Sequence, residues 1–332
     1  YLGSIFNANP LVFSLPTVIL VTVIHLGSLT FISGFQQFFT YSKFALILVL
    51  GALGFAVGQA QDVSFLPADG DVELITSGAF AISLVYVLYA YAGWNAATYM
   101  MDDVKRPQRN VPLALLIGTS LVTILYIFIN AAFLHSTPID DIKGEPEVGL
   151  IAAQAILGPR GGMIMGILIS FGLISSISSM VWAGPRVSAA IGRDYSVLRF
   201  LERTNLNGVP AVAILIQSLI VIVLILSATF EQLINYVQAL LTISSLMVVI
   251  GVFHLRIKRP DIKRPYQAWG YPVTPAAFAL VSFYVLWFQL KDKTAEFAWG
   301  IATLALGGAI YVIMTHRQKM VALRDKKPDS GD

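Results

Sequence analysis

The stretch LVYVLYAYAGWNAA (Leu84–Ala97) decides how the chain is read. It is apolar enough to belong to a helix in a bilayer, yet Gly93 and Asn95 sit near its middle. A glycine costs a helix about 1 kcal/mol relative to alanine, and an asparagine facing lipid needs hydrogen-bond partners. Two readings follow. In one, Ala90, Gly93 and Ala97 form a seam of small residues that lets a second helix approach. In the other, the helix is broken, and the carbonyls of Tyr89, Ala90 and Ala92 face a cavity where they accept hydrogen bonds from an ammonium group. Irregular backbone at membrane depth is tolerated only where it lines such a cavity.

The rest of the chain supplies the membrane. Of its 332 residues, 56% are hydrophobic and only 12% charged, and the mean hydropathy is +0.74. A soluble domain carries roughly 25% charged residues. These values exclude a water-soluble fold, a nucleic-acid binder and a disordered chain. The apolar content is enough for roughly nine spans of about 20 residues. There is no cysteine, which excludes disulfides, thiolate metal sites and a cysteine nucleophile. Tyr1–Pro10 has no basic n-region of a signal peptide, and the start reads as a cut.

Nine spans are expected: Leu15–Ser33, Lys43–Gly58, Gly78–Met101, Pro112–Leu134, Gly161–Val187, Pro210–Ser227, Phe230–Leu255, Pro272–Leu290 and Ala295–Met314. Pro112, Pro210 and Pro272 open their spans, where a missing N–H costs nothing. Val148–Leu157 is too short to cross and reads as an interfacial helix. The segments Asp102–Asn110, Arg186–Gly208, Leu255–Tyr271 and Thr315–Asp332 hold 17 of the 22 Lys and Arg. The opposite loops hold 11 of the 19 acids. The positive-inside rule therefore expects a cytoplasmic C-terminus and an external N-terminus.

Few side chains within the spans carry chemistry. No Asp or Glu lies in their central portions, which removes a carboxylate proton relay and a membrane metalloenzyme. No cofactor is expected. His25 lies well inside an expected span and reads as a hydrogen bonder between helices. The serines Ser175, Ser176, Ser178 and Ser179 have no nearby base, so a serine hydrolase is unsupported; their density suits close packing or a cavity lined for water or a cation. Lys43 carries an ammonium at a span boundary. It either snorkels from the helix entrance or stands inside the bundle as a fixed cation bridging helices.

The block GWNAATYMMDDVKRPQRNVPLAL (Gly93–Leu115) resembles the sixth span and following loop of the amino acid–polyamine–organocation superfamily, nearest its L-type amino acid transporter branch. Gly93, Trp94, Asn95, Pro107, Arg109, Asn110 and Pro112 carry the match. GPRVSAAIGRD (Gly184–Asp194) resembles the end of the eighth span, and RIKRPDIKRPYQAWGYPVTP (Arg256–Pro275) the loop after the tenth. The likeness covers essentially the whole chain.

That resemblance implies an all-α membrane protein with the LeuT-like 5+5 inverted-repeat bundle. The nine visible transmembrane helices are then equivalent to spans four to twelve of twelve, with Tyr1-Leu2-Gly3 at the end of the third. Residues 1–332 form one transporter domain, with 15–58 ending the first repeat, 78–256 forming the second and 272–314 the last two helices. It also implies site residues. Tyr89 falls where the family places an aromatic gate, and Tyr89, Ala90 and Ala92 where backbone carbonyls hold the substrate ammonium. Gly93 allows the break, and Asn95 stands where the L-type branch has Asn and the arginine–agmatine exchangers have Glu. Lys43 falls on the fifth-span lysine that replaces a sodium ion in sodium-independent members. Ser175, Ser178 and Ser179 fall near the region facing that lysine. Asp102 with Arg109 falls at an inner gate.

The resemblance implies a sodium-independent secondary transporter of amino acids, neutral ones first, working by proton coupling or exchange through alternating access. The alternatives are a polyamine or cationic amino acid porter, and a non-transporting membrane sensor or assembly partner. It is not expected to be an enzyme. The implied partners are an amino acid and the lipid bilayer, with no nucleic acid. Eukaryotic L-type subunits carry a cysteine before the fourth span for a partner glycoprotein. The corresponding loop, Asn7-Ala-Asn-Pro10, has none, so no disulfide-linked heavy chain is expected. The implied location is a bacterial-type inner membrane.

Overall fold

The protein is seen in a computed structural model that describes residues 1–27, 29–64, 66–99, 101, 104–264 and 266–325, without the side chains of 29–33 and 317–325. Among the described residues every regular element is helical. In chain order they are α1 (Leu2–Phe6), α2 (Leu11–His25), α3 (Leu29–Val57), α4 (Asp71–Ile75), α5 (Gly78–Ala90), α6 (Ala96–Tyr99), α7 (Pro107–Ser136), α8 (Ile139–Ile142) and α9 (Val148–Asp194). A 3-10 helix, Ser196–Glu202, precedes α10 (Ala211–Ser227), α11 (Phe230–Lys258), α12 (Val273–Asp292) and α13 (Thr294–Asp325).

Six of these helices are long and apolar enough to cross a membrane: α3 from Gly34, α7, α9, α11, α12, and α13 as far as His316. Three of the expected spans fall instead on α2, α5 and α10, which are apolar but shorter. Local chemistry sets several boundaries. The Ser77 hydroxyl accepts from the Phe80 N–H to open α5. Thr229 and Gln232 close a reciprocal capping box at the start of α11, which satisfies two N–H groups that a helix start leaves unpaired.

Several boundaries differ from expectation. The span expected over Leu15–Ser33 covers most of α2, which ends at His25, and the start of α3. The span expected from Lys43 belongs to a helix that begins at Leu29, so Lys43 is the fifteenth of its 29 residues. The residues before it, Phe35 to Ser42, mix aromatic and polar side chains, which lowered the apparent hydropathy although the helix continues. Pro112 was expected to open its span, but α7 starts at Pro107. The cause is the turn before it. Arg106 adopts a φ of 50°, and the Asn110 side-chain amide donates to the Lys105 carbonyl at 2.6 Å, so Pro107 takes the first helical position.

The helix α9 is two helices joined at Gly158, whose φ of 73° and ψ of 177° lie outside the helical region. That conformation is essentially open to glycine alone. The segment read as an interfacial helix, Val148–Leu157, ends at this kink.

The chain divides into two compact units. One holds Tyr1–Leu66 and Ala114–Leu226, the other Pro67–Leu113 and Ser227–Asp332. In the first, α9 packs along α3 and also meets α2 and the 3-10 helix. Its core gathers Leu50, Ala153, Ile156 and Met165. In the second, α11 packs on α12 and α13, and α5 packs on both α11 and α12. Val85, Ile234 and Val285 are the buried centre there, and the Tyr284 hydroxyl donates to the carbonyl of Ile75 at 2.8 Å just ahead of α5.

Candidate functional site

In the second unit the critical stretch is interrupted. The last helical bond of α5 runs from the Tyr91 N–H to the Val87 carbonyl at 3.1 Å. The Ala92 N–H then turns to the Tyr89 carbonyl at 3.0 Å. Gly93 follows with φ 101°, a value that a residue with a Cβ adopts only under strain. The chain becomes helical again at Ala96, whose N–H donates to the Gly93 carbonyl at 3.0 Å. Within the break, the Ala92 carbonyl and the N–H groups of Gly93, Trp94 and Asn95 form no hydrogen bond among the described residues.

A cavity of about 130 Å³ adjoins this break. Tyr91 to Asn95 form one wall. Gln238, Thr242 and Ser245 of α11, with Phe278 and Ser282 of α12, form the other. Of the residues singled out in the sequence, Ala92, Gly93 and Asn95 line the cavity, while Tyr89 and Ala90 do not. The Tyr89 side chain is 41% exposed at the end of α5, and its carbonyl serves the turn to Ala92. The Asn95 side-chain amide donates to the Tyr99 hydroxyl at 2.6 Å, so the asparagine finds its partner within one turn.

Gln238 was not singled out. It is 4% exposed, its amide nitrogen donates to the Thr242 hydroxyl at 3.0 Å, and its amide oxygen has no partner. The sequence did hold a signal for it. Glu231, Asn235, Gln238, Thr242 and Ser245 recur at three- and four-residue spacing, which puts them on one face of α11. At the start of that helix the Lys293 ammonium donates to the Glu231 carboxylate at 2.6 Å. That hydrogen bond, reinforced by the carboxylate charges of Glu231 and Glu296, holds the Lys293 pKa above its ordinary value despite partial burial.

In the first unit, α9 presents its serines to the polar face of α3. The Lys43 ammonium donates to the Ser176 hydroxyl at 3.0 Å. Thr40 and Ser175 share a hydrogen bond at 3.3 Å. The Gln36 amide donates to Ser175 at 3.4 Å and also to Ser179. Ser178 points elsewhere, to the Nε2 of His25 at 3.2 Å, while the His25 Nδ1 pairs with the Val21 carbonyl at 2.8 Å. So Ser176, the one serine of the run left out of the candidate set, is the one that meets the lysine.

Asp102 of the expected inner gate lies outside the described residues, and Arg109 is exposed. Among the described residues no group of three or more His, Asp and Glu could hold a metal ion.

Comparison with known proteins adds the lineage. A family model described as amino acid permease matches residues 2–313. The chain is 25% identical over 301 residues to the human b(0,+)-type amino acid transporter 1, covering 88% of this chain and 60% of that protein. It is 24% identical over 307 residues to the rabbit large neutral amino acids transporter small subunit 2, covering 91% and 56%. It is 22% identical over 317 residues to the human cystine/glutamate transporter, covering 94% and 60%. The chain thus spans about 60% of the length of these relatives.

Proposed function

The chain belongs to the amino acid permease family, and from that premise we propose that the protein carries amino acids across a membrane, without sodium, by alternating access. The observation that carries this reading is the helix break at Tyr91–Asn95, with Gly93 at φ 101° and backbone polar groups left unpaired beside a cavity. Broken helices at membrane depth hold the charged ends of substrates in transporters of this architecture. The Ala92 carbonyl is the acceptor for the α-ammonium, with Tyr89 and Ala90 at the mouth of the break and Gly93 and Asn95 shaping it.

Lys43 serves as a fixed cation between α3 and α9, held by Ser176, with Ser175 and Ser179 on the same helix bonded to Gln36 of α3 and Ser178 turned to His25. This is the basis for sodium independence. The cavity wall contains no carboxylate, which favours neutral amino acids over polyamines or cationic amino acids. The nine apolar helices are the crossings of a LeuT-like 5+5 bundle, of which 15–58 and 78–256 belong to the two repeats. The basic loops put the C-terminus in the cytoplasm of a cell whose inner membrane holds the protein. With no cysteine in the chain, no disulfide joins it to a heavy chain.

The test is uptake of labelled amino acids by the full-length protein in proteoliposomes, with sodium replaced by choline. Equal uptake in the two media supports the proposal. Uptake that requires sodium overturns its cation part, and a preference for spermidine or arginine overturns its substrate part. Specific binding with no flux in either medium would identify a sensor instead.

A further inference from the structure

We infer that the cavity between the helix break and the helices α11 and α12 is a binding site for water, held as a small ordered cluster by Gln238, Ser245 and the backbone of Ala92–Asn95. The inference concerns the same break as the transport reading but in the protein without substrate, and its test reads hydration and not flux, so either can fail alone.

The first support is unmet hydrogen bonding. The Gln238 side chain is more than nine-tenths buried, and its amide oxygen has no partner. Turning the amide end for end does not remove the deficit. The Thr242 hydroxyl would then donate to the oxygen, and the NH₂ group would be left without an acceptor instead. Across the cavity, the Ala92 carbonyl and three successive N–H groups, those of Gly93, Trp94 and Asn95, are also unmatched among the described residues. The Ser245 hydroxyl has no partner among the described residues either. The site thus offers both donors and acceptors, which a water molecule can serve and a metal cation cannot.

The second support is room. A water needs roughly 10–15 Å³ of such space and two to four polar neighbours. The cavity of about 130 Å³ therefore admits several, and the polar groups just named supply the neighbours that each would need. The chemistry also selects water over an alkali cation. No carboxylate lines the cavity, and the nearest acid on the polar face of α11, Glu231, is neutralised by Lys293. A cation would be buried without a counter-charge. Water placed here replaces the helical hydrogen bonds that the break forgoes and keeps the segment from collapsing onto α11.

Hydroxyl-radical footprinting of the full-length protein in lipid nanodiscs tests this, since radicals formed from bound water oxidise the side chains that touch it. Phe278 and Leu241 line the cavity, whereas Val285 and Leu50 are buried away from it. The expected result, after each rate is divided by the intrinsic reactivity of that side chain toward the radical, is labelling of Phe278 and Leu241 at least tenfold faster than Val285 and Leu50. The double substitution Gln238→Met with Ser245→Ala should lower it at least threefold. If that variant misfolds, shown by faster labelling of Val285, Ser245→Ala alone decides, with an expected decrease of about twofold. Labelling of Phe278 and Leu241 as slow as the controls in the unaltered protein overturns the inference, as does labelling unchanged in a folded variant. Either result would mean that the cavity is dry or filled by protein.

Discussion

The Lys43 ammonium donates to the Ser176 hydroxyl across 3.0 Å, and the lysine lies at the middle of the 29-residue α3. Fourteen residues separate it from either end, a rise of about 21 Å. A lysine stem is far too short to carry its charge over that distance to a helix end. The apolar, span-length part of α3 begins at Gly34, so Lys43 lies nine residues, about 14 Å, inside it, where an ammonium costs roughly 2.5–3.5 kcal/mol on insertion scales.

Replacing Lys43 with Ala in the full-length protein should therefore reduce sodium-free uptake at least tenfold while leaving abundance in the membrane within a factor of two. Proteoliposome flux normalised to protein measures both. Undiminished flux would mean that the lysine is a helix-packing residue only.

Gly93→Ala forces a Cβ onto a backbone at φ 101°. Left-handed backbone costs a residue with a Cβ roughly 1–2 kcal/mol. The midpoint of thermal unfolding should fall by a few degrees, and substrate binding should weaken more than that loss implies, because the break itself changes shape. Unchanged affinity together with a lowered midpoint would separate the break from the binding site.

Tyr89→Ala removes a residue of the last turn of α5 that is 41% exposed and lies outside the small cavity. Its loss should alter the ranking of amino acids in competition uptake severalfold without lowering expression. An unaltered ranking would remove Tyr89 from the set of residues that meet the substrate.

The ion pair between Lys293 and Glu231 should respond to alkali. The lysine pKa is raised above 10.5 in the folded protein. Its contribution is therefore fully present below that value and disappears as the pH rises through the higher folded pKa. Both partners are partly exposed, at 28% and 57%, so the contribution is only about 0.2–1 kcal/mol and weakens with salt. A comparison of unfolding midpoints for the unaltered protein and Lys293→Met should show a small gap at pH 8 that closes in alkali above the ordinary lysine pKa. A gap that widens with pH would reverse the sign of this coupling.

Much of the fold can be read from the sequence because apolar runs, Pro and caps are local features. Ser77 before Gly78 and Thr229 with Gln232 mark helix starts within the chain that forms them, and Gly158 marks the end of Val148–Leu157 in the same way. The break at Gly93 was one of two readings, since a small-residue seam and a broken helix use the same residues. Other features depend on how helices are rotated against one another. Nothing local distinguishes Ser176 from Ser175 as the partner of Lys43, because the register of α9 on α3 decides it. Gln238 becomes meaningful only when the break packs opposite it. The division into two units also interleaves the chain, with Pro67–Leu113 in the second unit and the segments on either side of it in the first, a grouping set by contacts distant in sequence.

In the proposed mechanism the break at Tyr91–Asn95 recognises the ammonium group of an amino acid without sodium. Calorimetric titration of the full-length protein in sodium-free buffer tests it most directly, comparing an amino acid that stabilises the protein with its 2-hydroxy acid counterpart. The amino acid should bind, and the hydroxy acid should bind at least a hundredfold more weakly. Equal binding of the two, or amino acid binding that appears only when sodium is added, would contradict it.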